Sequence, residues 1–100
     1  AMSYEFDDSD QRTRFDKSKH VSVSPSSMRK YHDWRRLIVD QNYSPKDAAS
    51  AVGDSHYEQL KGKKFETYPI YSIRLNQTDR VTFIYPSSNS IKIINIGGHY

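Results

Sequence analysis

The chain has 100 residues and is 35% hydrophobic, which allows one modest domain and excludes a large aliphatic core. Cysteine is absent, which excludes disulfide staples, thiol nucleophiles and zinc–thiolate sites. The charge is uneven: residues 1–16 carry a net of −3 and residues 17–100 a net of +6, so the body of the domain suits a polyanionic partner.

In chain order, Ala1-Met2 reads as a remnant of cloning. It is followed by neither a charged-then-apolar leader nor an apolar run near the ~18 residues of a membrane span. Ser3 to Asp7 predicts a short strand, and residues 8–20 are polar and aperiodic, a loop or a frayed helix. His20-Val21-Ser22-Val23-Ser24 alternates with period two, which allows a further short strand. Ser24-Pro25 starts a helix, with serine as N-cap and proline at the first helical position. Met28, Tyr31, Trp34, Leu37 and Ile38 then recur at steps of three and four. They form an apolar stripe, with Arg29, Lys30, Arg35 and Arg36 off it, as far as Asn42. Ser44-Pro45 repeats the start signal, and Ala48 to Val52 carry a short second helix to a cap at Gly53.

From residue 57 the texture is that of strands. Tyr68 to Asn76 alternates, with Tyr71, Ile73 and Leu75 on one face and Ser72, Arg74 and Asn76 on the other. Arg80 to Tyr85 alternates again, and Ile91 to Ile96 is the last strand, with turns at 77–79 and 86–89 between them. Gly97-Gly98 releases the chain before His99-Tyr100. The reading is one α+β domain over residues 1–100. Two N-terminal helices in a helical half, 24–53, pack on a small antiparallel sheet of three to five strands. A three-stranded meander closes the sheet half, 57–100.

The four histidines, His20, His32, His56 and His99, show no HxxxH or HExxH spacing, so neither a metal site nor a cofactor is expected. A basic domain of this kind acts on a phosphodiester only through its own side chains. Cutting RNA that way needs a base for the 2′-hydroxyl, cations for the charge on the phosphorane, and an acid for the departing 5′-oxygen. The sheet half offers Glu58, Lys61, Lys63, Lys64, Arg74, Arg80, His99 and Tyr100. A hairpin would bring Arg74 and Arg80 together. The plainer readings are a surface salt bridge between Glu58 and an arginine, an ordinary basic turn at Lys61-Gly62-Lys63-Lys64, and a frayed His99-Tyr100 terminus. As functional elements, the lysines would bind phosphates without sequence preference, and Tyr71 would stack on a base rather than edge the core. His20, His32 and His56 are expected to be structural or solvent-facing.

Three stretches of the sheet half share a pattern: Tyr57-Glu58-Gln59-Leu60-Lys61-Gly62, then Tyr71-Ser72-Ile73-Arg74 through Asp79-Arg80-Val81-Thr82-Phe83, then the terminal His99-Tyr100. In order and spacing this resembles the YoeB branch, with its HigB-like relatives, of the RelE/ParE toxin superfamily. The resemblance covers residues 57–100, and residues 1–56 only as general architecture. It implies a RelE-like, microbial-ribonuclease-like sheet. It also implies a metal-independent endoribonuclease toxin, acting in the bacterial cytoplasm on messenger RNA at the ribosome or on transfer RNA. Attack by the 2′-hydroxyl would leave a 2′,3′-cyclic phosphate, arresting translation and growth. By matching position, Glu58 resembles the general base, Lys61, Arg74 and Arg80 the phosphate and transition-state contacts, His99 the general acid, and Tyr100 the ring that orients the nucleotide. A partner is implied too, an acidic antitoxin or immunity protein. Gln59 stands where the family often has proline, and the longer N-terminal half with its acidic first segment has no counterpart. These departures suit a tRNase toxin domain of a contact-dependent inhibition or colicin-like protein. A ParE-like gyrase inhibitor shares the fold, but generally lacks the glutamate and the closing His-Tyr.

Overall fold

The computed structural model describes residues 4–7, 24–53, 56–77 and 79–96. Residues 20–23 of the expected second strand lie outside that set, as do Gly97-Gly98 and the His99-Tyr100 pair. The elements are β1 (Glu5–Asp7), α1 (Pro25–Gln41), α2 (Pro45–Ala51), β2 (Glu58–Phe65), β3 (Tyr68–Arg74), β4 (Arg80–Ile84) and β5 (Ser90–Ile96). Together they make an α+β fold, in which two helices pack on a five-stranded sheet of order β1-β5-β4-β3-β2. Neighbouring strands are antiparallel except for β1, which runs parallel to β5 with Phe6 opposite Ile91.

Two expectations are corrected. The helices are not N-terminal: β1 precedes them and forms one edge of the sheet. The meander has four strands rather than three, because residues 58–65, including Lys61-Gly62-Lys63-Lys64, form β2 and not a turn. Apolar alternation hid this strand, since Leu60 is its one buried residue. Edge strands commonly carry lysines, which discourage pairing with other chains. Gly62 takes φ 76° within an irregularity between Gln59 and Lys64, a conformation that side-chain-bearing residues rarely adopt.

Both helix starts follow from their serines. Ser24 Oγ accepts from the Ser27 amide at 3.2 Å, and Ser44 Oγ from the Asp47 amide at 3.1 Å. Asn42 ends α1 in the left-handed conformation, φ 59°. Val52 caps α2, one residue before the expected Gly53.

The stripe on α1 faces the sheet, and Tyr31, Trp34 and Ile38 are buried with Ile73, Val81, Phe83, Ile91 and Ile93. Trp34 is the hinge pin of this core. Its ring lies 5.3 Å from Phe83 and 5.7 Å from Phe6, and its Nε1 donates to the Pro45 carbonyl at 3.0 Å. One indole thus joins α1, α2, β1 and β4. The β3–β4 turn is tied to α1 as well, since Asn76 Nδ2 donates to the buried Ser27 Oγ while Asn76 Oδ1 accepts from the Asp79 amide. That fixes the separation of β3 and β4 where Arg74 and Arg80 sit.

Candidate functional site

Side chains alternate between the two faces of a strand, so the position of the core assigns every other residue. Phe83 packs on Trp34 of α1, so Arg80, Thr82 and Ile84 of β4 point away from the helices. We call that side the far face. Across β3, Arg74 is registered directly opposite Arg80, and Ser72 opposite Thr82. Across β2, Glu58 is opposite Ser72, and across β5, Asn95 is opposite Thr82. The far face therefore carries a row Glu58–Ser72–Thr82–Asn95, with the pair Arg74–Arg80 one step along the strands.

Glu58 reaches Arg80 across this face, on which Ser72, Thr82 and Ile84 are themselves buried. Its Oε1 lies 3.5 Å from Arg80 Nη1, with the Arg80 side chain 16% exposed and that of Glu58 37% exposed. Its other oxygen, Oε2, lies 3.3 Å from His56 Nε2. At this exposure the Glu58–Arg80 pair adds at most ~1 kcal/mol to stability. Arg74 is half-buried, with its Nε shielded from solvent and without a hydrogen-bond partner among the described residues. Adjacent strands are ~4.8 Å apart, and like charges directly opposite each other on one face are destabilising. Two arginines registered opposite each other on one face, with the Glu58 carboxylate beside Arg80, make a cluster whose cations suit an anion.

The structure brings together Glu58, Arg74 and Arg80 of the expected site residues. His99 and Tyr100 lie outside the described residues. Lys61, Lys63 and Lys64 are exposed along the edge strand β2. Tyr71 is opposite Phe83 on the helix-facing side, so it sits on the other face from Glu58 and the arginines. There it packs with Tyr57 at 5.7 Å and Tyr85 at 5.0 Å between ring centroids. The hydroxyls of Tyr57 and Tyr85 share a hydrogen bond of 2.8 Å. Burial, chiefly, raises the pKa of both phenols above the usual tyrosine value, and for Tyr85 the bond to Tyr57 raises it further. Both stay protonated at neutral pH and serve as a polar clasp at the core's edge.

His56 is the residue that sequence reasoning missed. It is solvent-facing, as expected, with its side chain 54% exposed, and the contact with Glu58 is what the sequence did not show. Position 56 precedes β2 and takes φ 41°, so strand alternation could not have shown the contact. Among the described residues no three His, Asp or Glu side chains gather as a metal-ligand set. Among the described residues, too, no helix is long and apolar enough to cross a membrane. No protein-family model matches the chain, and no curated protein matches it in sequence.

Proposed function

We propose that the chain is an endoribonuclease toxin that cuts RNA without a metal, with its active centre on the far face around Glu58, Arg74 and Arg80. The observation that carries the reading is the registered Arg74–Arg80 pair with the Glu58 carboxylate 3.5 Å from Arg80. A phosphodiester seated between the guanidiniums relieves their mutual repulsion, and the charge that builds on a phosphorane strengthens both contacts. Glu58, beside that phosphate, takes the proton of the 2′-hydroxyl as its oxygen attacks phosphorus. The 5′-oxygen leaves with a proton from His99, and the product carries a 2′,3′-cyclic phosphate. Described β5 ends at Ile96, opposite Val81 and so next to Arg80, with His99 three positions on.

The order of elements further supports a RelE-like, microbial-ribonuclease-like assignment: a first strand, two helices, then a meander whose last strand lies parallel to the first. Under this reading Tyr100 orients the nucleotide, and the exposed Lys61, Lys63 and Lys64 gather the RNA backbone electrostatically. The protein acts in a bacterial cytoplasm, its own or a target cell's. It is held in check by an acidic partner, an antitoxin or immunity protein, that covers the arginines.

The test is incubation with RNA in EDTA followed by analysis of the new ends. Cleavage is expected to persist under chelation and to leave 2′,3′-cyclic phosphates. Intact RNA, or 5′-phosphate and 3′-hydroxyl ends, would overturn the proposal.

A further inference from the structure

The chemistry proposed above leaves Asn95 unused, and two independent features single it out. The first is the irregularity in the β4–β5 ladder. Phe83 is opposite Ile93, but its neighbour Thr82 is opposite Asn95, so Ile94 is an extra residue in β5. With regular pairing, Thr82 would face Ile94, and Asn95 would fall opposite Val81 on the helix-facing side, inside the apolar core. The bulge reverses this: Ile96 returns to the core against Val81, and the carboxamide of Asn95 turns to the far face. Bulges interrupt pairing and re-aim side chains, and they concentrate beside active sites.

The second feature is an unmet acceptor. Asn95 is half-buried, and its Oδ1 is shielded from solvent with no hydrogen-bond partner among the described residues. Buried polar atoms are nearly always paired, so each exception asks for a reason. Rotation about χ2 of asparagine is soft, which lets the carboxamide meet an incoming donor without moving the strand.

Its place in the row suggests what that donor is. Glu58 on β2 and Asn95 on β5 flank the arginines of β3 and β4. One strand spacing and two residues of rise separate Asn95 from Arg80, about 8 Å between their Cα atoms. That is close to the span of one nucleotide. We infer that Asn95 forms a nucleobase subsite, its carbonyl oxygen accepting a hydrogen bond from the exocyclic amino group of the base next to the bound phosphate. Cytosine, adenine and guanine have such a group, and uracil does not. The chemical class of ligand rests on the nuclease reading; the subsite's base preference is tested separately.

The experiment uses the whole chain with labelled 2′-O-methyl oligocytidylate and oligouridylate, which resist 2′-hydroxyl attack, and reads affinity by fluorescence anisotropy. The unaltered protein is expected to favour the cytidylate by about three- to tenfold, the range a single neutral hydrogen bond supplies. Asn95→Ala should bind both oligomers equally and keep its uridylate affinity, which also reports that it is folded. Asn95→Leu, similar in size but without an acceptor, repeats the comparison should alanine unsettle the strand. Equal binding by the unaltered protein, a preference that survives both substitutions, or no binding of either oligomer would overturn the inference. Base-dependent binding that the substitutions abolish, with unmodified RNA left uncut, would overturn the nuclease reading alone. Cutting without base preference would do the reverse.

Discussion

Replacing Glu58 with glutamine is expected to slow RNA cleavage by about 10²–10⁴-fold, the usual contribution of a positioned base. Glutamine keeps the size and the polar reach of the side chain but cannot take a proton. The variant should lose little stability, because the ion pair it removes joins a 37%-exposed carboxylate to Arg80 across 3.5 Å. Affinity for a non-cleavable 2′-O-methyl oligonucleotide should be kept or slightly improved, since a negative charge beside the phosphate site is gone. The split between rate and affinity is the diagnostic part. A Glu58 that merely anchors Arg80 would change binding and turnover together. Cleavage within a few-fold of the unaltered rate would remove Glu58 from the chemistry.

Trp34→Ala is expected to cost about 3–5 kcal/mol of folding stability, the usual range for emptying a buried aromatic site. The indole is fully buried, touches Phe6, Tyr31 and Phe83, and donates its N–H to the Pro45 carbonyl. Its removal leaves a cavity where α1, α2 and the sheet meet, and a carbonyl without its donor. Domains of this size hold only ~5–15 kcal/mol in total, so the melting temperature should fall by more than about 10 °C. Trp34→Phe keeps most of the volume and should recover much of the loss. Thermal melting followed by circular dichroism gives the result directly. A shift of a degree or two would mean that this core does not set the stability.

The parts of the fold legible in the sequence were those where one physical signal dominated. The Ser-Pro pairs at 24–25 and 44–45 marked both helix starts, because a hydroxyl cap and a fixed proline φ act locally. Alternation at 68–76 and 80–85 gave both the strands and the faces of Arg74 and Arg80. Strand β2 escaped because it is an edge, where lysines stand in the place of an apolar face and Gly62 breaks the period. The parallel pairing of β1 with β5 was not readable, since it joins positions some 85 residues apart and leaves no local mark. At the site, Arg74 and Arg80 were placed by residue type and strand phase and Glu58 by residue type and the family resemblance, whereas Tyr71 was placed by type alone and lies on the opposite face. Asn95 was invisible for a different reason. A bulge reverses the phase of every residue beyond it, and alternation in sequence cannot show where a strand gains a residue.

The most direct test of the central claim replaces one atom of the substrate. Once a cut is mapped in a short oligoribonucleotide, the same strand is made with a single 2′-deoxynucleotide on the 5′ side of the scissile phosphate. If Glu58 acts by freeing a 2′-oxygen between Arg74 and Arg80, that strand is bound as before and stays whole at the mapped position. Cutting of the deoxy strand there at the original rate would mean that the attacking oxygen comes from elsewhere, and the role assigned to this cluster would be wrong.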